Sequence, residues 1–354
     1  VERTLSAPGK LFLSGEYAVL WGGTARLVAT GPRAQAMFRP REDRLIEIAL
    51  ADGKLVGDAT PAGVRWHSEV TDAYRFVATT FDLALRITGT EGPGFSAAFE
   101  PSPLVNGQKL GLGSSARATV LAAEVARLGL GGSFDALKLA LIAHADAQGG
   151  KGSGADVATS FAGGLIRYRT FATRELIDAS KRGGLSTALD RSQPVDVQRM
   201  GVPLLPLAWV FTGQAASTTG LVKSVESRLA KEARASFVER SDALGDELEK
   251  RFLRGDFGGV EAACDGLHAL LSGLAETQTE ALARIRGLAS TFGCVAKQSG
   301  AGGGDGAIVF CRDVEARREL LSACKARGMP GFDVTPAGGM QGEVSRHAQL
   351  SKWL

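Results

Sequence analysis

A chain of 354 residues, 44% apolar and 22% charged, has an ordinary globular composition and is too long for one simple core. Its 41 Lys and Arg against 38 Asp and Glu leave a formal charge of +3, which gives no reason to expect nucleic acid or an anionic membrane as partner. A cationic site has to be local.

In chain order, residues 5–30 read as extended segments around a glycine turn in "APGKLFLSGEYAVLWGG". Residues 31–60 alternate loosely, as strands do. A helix is expected from about Val70 to Leu85, then short strand and loop in "GFSAAFEPSPLVNGQ". "KLGLGSSARATVLAAEVARLGLGG" (109–132) runs from a glycine-serine burst into a helix. Val120, Leu121, Val125 and Leu128 share one face of it, and Gly129, Gly131 and Gly132 end it. A second helix, "DALKLALIAHADAQGG", follows at once, then "GSGADVATSFAGG" and a strand, "LIRYRTF".

Residues 181–206 lack periodicity and carry Gly183, Gly184, Pro194, Pro203 and Pro206, so a domain boundary is expected there, dividing 1–200 from 201–354. Beyond it come a strand "LAWVF", amphipathic helices over 218–291, and strands "CVAK" and "AIVF" around a glycine loop. A helix "VEARRELLSACKARG" and a strand "GFDVTP" close the series. That spells β-α-β-β-α-β, the ferredoxin-like order, although other two-layer α+β domains fit the same reading.

The four cysteines (Cys264, Cys294, Cys311, Cys324) form no C-x-x-C pair, and the four histidines (His67, His144, His268, His347) are scattered, which argues against a zinc cluster. Reduced, buried thiols in a cytoplasmic protein are expected. No apolar run approaches the ~20 residues needed to cross a bilayer. The start, "VERTLSAPGK", has no signal-peptide core.

Three glycine clusters carry the chemical signal. "GLGSSARA" loosely fits G-x-G-x-x-A, but a dinucleotide site needs a second strand ending in an acid after one helix. Here a second helix follows, and the early acid, Glu124, lies inside the first; the P-loop pattern is absent. A phosphate cradle remains, with Gly111 and Gly113 bending the backbone and a helix end adding N–H donors. Ser114 and Ser115 could cap that helix, touch phosphate or ligate a hard cation. A serine-capped helix after a tight turn explains the motif equally well. The second cluster, "AQGGKGSGADVATSFAGG", sets Asp156 among small residues, as a ligand site or a helix start would. The third, "KQSGAGGGDGAIVF", spends about eight residues, mostly glycine, where two could join its strands, and such loops usually wrap something. Lys10, with Ser14, Glu16 and Tyr17 nearby, gains interest only from this company.

Taken in order, "APGKLFLSGEYAVL", "GLGSSA" and "SGAGGGD" resemble the three motifs of the GHMP kinases, the superfamily of galactokinase, homoserine kinase, mevalonate kinase and phosphomevalonate kinase. The resemblance extends over essentially the whole chain. It implies an α+β protein of two domains, an N-terminal α/β ATP-binding domain with a left-handed β-α-β crossover and a ferredoxin-like C-terminal domain. "AQGGKGSGADVA" and "FTGQAAST" bring it nearest to the phosphomevalonate kinases. Mevalonate kinases have a histidine after the motif-one glutamate, where this chain has Glu16-Tyr17. They also carry a metal-binding glutamate eleven residues before the catalytic aspartate, where this chain has Ala145 between His144 and Asp146.

The resemblance implies ATP- and Mg2+-dependent phosphorylation of 5-phosphomevalonate to 5-diphosphomevalonate by a monomer or homodimer. Mevalonate kinase, another small-molecule kinase of this fold, or a ligand sensor without turnover are the alternatives. Lys10 and Asp156 take the catalytic positions. Lys109, Gly111, Leu112, Gly113, Ser114, Ser115 and Ala116 take the ATP positions, with Ser115 (or Ser114) on the metal. Tyr17, Ser153, Gly154, Ser217, Ser299, Gly300 and Ala301 take those for the acceptor. Arg167 and Arg169, on the strand after Gly164, could face the acceptor phosphate or form a solvated pair. Asp156 resembles a catalytic base, but a phosphate acceptor is already largely ionised near neutral pH, so orienting Lys10 and the acceptor is its expected task.

Overall fold

The computed structural model describes residues 1–100, 104–105, 108–213, 218–274, 277–345 and 347–354, with the backbone path alone at 104–105, 108–109 and 218–219. The chain opens with two long antiparallel strands, β1 (Arg3–Ser14) and β2 (Ala25–Pro40), in which Lys10 faces Ala29. β3 (Leu45–Leu50), β4 (Gly53–Thr60) and β5 (Gly63–Trp66) form a meander. Helix α1 (Arg75–Thr88) leads to β6 (Phe95–Phe99), which lies parallel to β3 and antiparallel to β2. α1 starts five residues later than its periodicity suggests and stops where Gly89 turns left-handed at φ 63°.

A short ribbon, β7 (Leu104–Val105) with β8 (Gln108–Lys109), precedes three helices: α2 (Ser114–Gly129), α3 (Ala136–Ala147) and α4 (Ala155–Ala162). The apolar face of α2 is buried as its spacing requires, and a side chain at Gly129 would overlap the Phe95 ring. α3 is apolar nearly all round and accordingly buried, with Asp135 accepting the N–H groups of Leu137 and Lys138 at its start. β9 (Leu165–Tyr168) then pairs with β2. Helices α5 (Arg174–Arg182) and α6 (Leu185–Arg191) and strand β10 (Val197–Arg199) follow, and β10 adds to β9. The stretch that reads as featureless therefore contains regular elements, each too short to display a period.

A second sheet holds β11 (Leu207–Phe211), β12 (Cys294–Gln298), β13 (Gly306–Cys311) and β14 (Gly331–Val334) in the order β12-β13-β11-β14, all antiparallel. That is the ferredoxin-like arrangement. Between β11 and β12 lie α7 (Thr218–Arg228), α8 (Lys231–Arg254), α9 (Phe257–Ser272) and α10 (Glu280–Thr291), and α11 (Val314–Ala326) joins β13 to β14. Alternation along β11 feeds two cores. Leu207, Trp209 and Phe211 pack with Leu248, Phe252 and Leu267, while Ala208 and Val210 pack with Ile285 and Leu320.

The layers are joined through β1. Its Ala7 and Phe12 enter the core of the first sheet, whereas Leu11 and Leu13 enter the core under Trp209. After β14 the chain returns to the first sheet. β15 (Gln341–Glu343) pairs with Thr4–Ser6 of β1, and Leu350 packs on Met37, Ala49 and Ala98. Among the described residues no helix is long and apolar enough to cross a membrane.

Candidate active site

The segment from Gly111 to Ser115 forms a bend against the middle of β1. Gly111 (φ 70°) and Gly113 (φ 79°) are both left-handed, and Gly113 is the residue from which α2 starts. This removes the serine-cap explanation of the motif. Ser114 and Ser115 are already helical, and no side chain caps the helix. The first N–H to find a carbonyl here is that of Arg117, bonded to Gly113 O at 3.1 Å. The amides before it open outward from the helix end, as helix geometry dictates. A Cβ on Gly111 would lie 2.9 Å from Asp305 Cβ, and one on Gly113 would lie 3.4 Å from Lys10 Cε and 3.7 Å from Asp156 Cβ. The bend therefore sits between three charged side chains from three distant segments. Leu112 and Ala116 turn their side chains into the cores, so only their backbone can meet a ligand. Lys109 ends β8, and its side chain lies outside the described residues.

Lys10 is anchored to the bend twice. Its backbone N–H donates to Leu112 O at 3.2 Å, and its ammonium donates to Gly111 O at 3.4 Å while lying over the Phe12 ring. The second bond is long, so the ammonium remains able to turn to an anion. Asp156 is the second residue of α4, where a carboxylate favours the helix dipole. One of its oxygens accepts from Val157 N–H at 3.0 Å, and the other lies 3.9 Å from His144 Nε2. Lys10 and Asp156 flank Gly113 without an ion pair between them.

On the opposite side the third glycine loop is pinned to the first motif. Ser299 Oγ accepts the Phe12 N–H at 2.8 Å, and Tyr17 donates its hydroxyl to Ala301 O at 2.6 Å. Tyr17 is held at φ 61°, and burial, with Glu16 adjacent, pushes its phenol far above the ordinary range, so it stays a donor. Gly300 faces open space. Ser153 Oγ accepts the Ala155 N–H at 3.3 Å, its carbonyl accepts the Tyr168 hydroxyl at 2.7 Å, and Gly154 precedes α4. Both serine hydroxyls thus accept from backbone and, among the described residues, donate to none. Each keeps a proton for an oxyanion. Ser217 lies outside the described residues.

Two residues here escaped the motif reading. His144, on α3, is buried with Nε2 3.1 Å from Ser115 Oγ. Lys297 is fully buried in β12 and forms an ion pair with Glu16, also donating to Gln298 O at 2.7 Å. A lysine inside the apolar run "CVAKQ" was the one available signal for the second.

Arg167 and Arg169 are both exposed, as a solvated pair would be, but each has a protein partner, and neither partner belongs to this site. Arg167 makes two 2.7 Å bonds to Glu249, a carboxylate shared with the buried Arg26 at 2.9 Å, and Arg169 donates to Thr24 Oγ1 at 3.1 Å. The alternation of β9 turns Arg167 toward Asp242, Asp246 and Glu249 of α8, and a cavity of about 340 Å³ lies beside them.

Among the described residues no group of three or more His, Cys, Asp or Glu is spaced to hold a metal. The hard donors around the bend include the Ser115 hydroxyl and the Asp156 carboxylate, both within 4 Å of one imidazole nitrogen, and the Asp305 carboxylate against Gly111. That set is too sparse for a resident ion. It fits Mg2+ carried in on a nucleotide and held mostly by phosphate.

No protein-family model matches the chain. It is 29% identical to a phosphomevalonate kinase of Streptomyces sp. (strain CL190), over 95% of this chain and 98% of the relative. It is 27% identical to a mevalonate kinase of Aeropyrum pernix, over 91% of this chain and 92% of the relative. The structure of Streptococcus pneumoniae phosphomevalonate kinase in complex with phosphomevalonate and AMPPNP matches with a TM-score of 0.79 at 22% identity, covering 94% of this chain and 99% of that one. The same fold recurs in a Lactococcus lactis galactokinase and a Cytophaga hutchinsonii homoserine kinase.

Proposed function

We propose that this chain is a GHMP kinase that transfers the γ-phosphoryl group of ATP to the phosphate of 5-phosphomevalonate, giving 5-diphosphomevalonate and ADP. One observation carries the reading: three glycine segments far apart in sequence meet around Lys10. The choice of acceptor draws on the name and coverage of the Streptomyces relative. It draws also on Ser153 and Ser299, whose free protons suit an oxyanion.

In this reading the amides at the start of α2 hold the β- and γ-phosphates with the positive end of the helix dipole behind them. The Lys10 ammonium stands beside the bend and offsets repulsion between two phosphoryl groups. Mg2+ on Ser115 (or Ser114) and the phosphates supplies further charge neutralisation. Ser153, Ser299 and the backbone at Gly154, Gly300 and Ala301 orient the acceptor, while Tyr17 fixes the third loop. The acceptor phosphate is largely ionised at neutral pH, its second pKa lying near ~6, so Asp156 orients rather than deprotonates. Residues 1–200 then serve mainly ATP and 201–354 mainly the acceptor, with the chain from 341 onward returning to the first sheet.

The test is ADP release measured side by side with mevalonate and phosphomevalonate. Turnover with phosphomevalonate alone is the expected result. Turnover with mevalonate alone makes the chain a mevalonate kinase, and turnover with neither, in a protein that binds ATP, makes it a ligand sensor.

A further inference from the structure

We infer that His144 is a positioning residue for the cation-bearing nucleotide: its Nε2 accepts the Ser115 hydroxyl proton and so turns that oxygen's lone pairs outward, toward the bend. The inference rests on the proposed contact between Ser115 and nucleotide-borne Mg2+.

The neighbours of Nε2 carry the assignment of donor and acceptor. Ser115 Oγ lies 3.1 Å from His144 Nε2, and the Gln148 amide nitrogen lies 3.4 Å from the same atom. The Gln148 amide nitrogen can only donate, so we assign Nε2 as the acceptor with the ring proton on Nδ1, and the nearer Ser115 hydroxyl then takes the lone pair as the main donor. Asp156 Oδ2, an acceptor 3.9 Å away, is too far to hold a proton on Nε2 by a hydrogen bond. The ring is not free to turn. His144 is buried, its α3 neighbours Leu139 to Ala145 are buried too, and Phe76 packs on it at 5.2 Å between centroids.

A serine hydroxyl has one proton and two acceptor lone pairs. Pointed at a cation, the proton would repel it. Committed to His144, it leaves both lone pairs available for the cation. Partners behind a metal-binding group orient it in this way and tune its affinity. An imidazole does so without adding negative charge beside phosphates.

The experiment is calorimetric titration of ADP with and without Mg2+, the readout being the ratio of the two affinities. Wild type is expected to bind ADP more tightly with Mg2+. Absence of that gain would overturn the Ser115–Mg2+ reading itself, before any variant is compared. His144→Leu keeps bulk against Phe76 but offers no acceptor. Its Mg2+ gain is expected to fall about fivefold, the worth of one hydrogen bond, with metal-free binding unchanged. His144→Gln, which offers a carbonyl oxygen, is expected to retain most of the gain. In a Ser115→Ala background, His144→Leu should add no further loss. A Mg2+ gain in folded His144→Leu within about twofold of wild type, or additive losses in the double variant, would overturn the inference. If His144→Leu does not fold, a folded His144→Gln that loses the gain overturns it equally.

Discussion

Replacing Lys297 with methionine removes the positive half of an ion pair that has almost no contact with solvent. The side chains of Lys297 and Glu16 are 0% and 2% exposed, the pair forms through Glu16 Oε1, and Glu16 Oε2 has no hydrogen-bond partner among the described residues. A unit charge pair about 4 Å apart is worth on the order of 4 kcal/mol at the effective dielectric of partly buried sites. Breaking such a pair by deleting one partner costs about 3–5 kcal/mol, because the survivor is stranded. Lys297→Met should therefore lose about that much stability in urea titrations followed by the fluorescence of the buried Trp209. Glu16→Gln combined with Lys297→Met should recover most of the loss, since no charge then stays buried. A single-variant cost under about 1 kcal/mol, or a double variant as unstable as both single losses summed, would refute the reasoning.

Asp156→Asn should keep measurable turnover at pH 8 with phosphomevalonate; complete inactivity in a folded variant that still binds ATP would restore Asp156 as an obligatory base. Gly113→Ala puts a Cβ at ordinary contact distance from Lys10 but forces alanine into φ 79°, so urea titration should register a loss of about 1–2 kcal/mol. Disturbing one charge-assisted amide contact at the bend should also raise the KM for ATP about tenfold. His268 is held down to about 4, first by burial and then by the nearby cations Arg286 and Lys297. Between that value and the ordinary 6.5 the unfolded chain binds the proton and the folded chain does not, so this group removes stability as pH falls through that window. His268→Gln should flatten the stability–pH curve between pH 6.5 and 4, and unchanged curves would count against the assignment.

The second sheet was legible because its strands are mostly short, buried apolar runs and each is bounded by a turn or helix signal. The Gly111 and Gly113 bend was legible because left-handed backbone leaves glycine in the sequence. Strands β10 and β15, three residues each, were not, since no period can be seen in three residues. The partners of the polar side chains were hidden for a different reason. Ser115 and His144 are 29 residues apart, Arg167 and Glu249 are 82, and Glu16 and Lys297 are 281. Such meetings depend on how helices and sheets stack, which local patterning does not encode. Arg167 illustrates the cost: its strand was readable, but neither the side it faces nor the acid waiting on α8 was.

Strand β1 has neighbours on both faces, and this decides how small molecules can come and go. Parting the two layers would drag Leu11 and Leu13 into water, at about 1.5–3 kcal/mol for each side chain. The backbone that carries Lys10 thus behaves as a fixed floor. In the proposed reading, a nucleotide then has to enter and leave without parting the layers, past an immobile base.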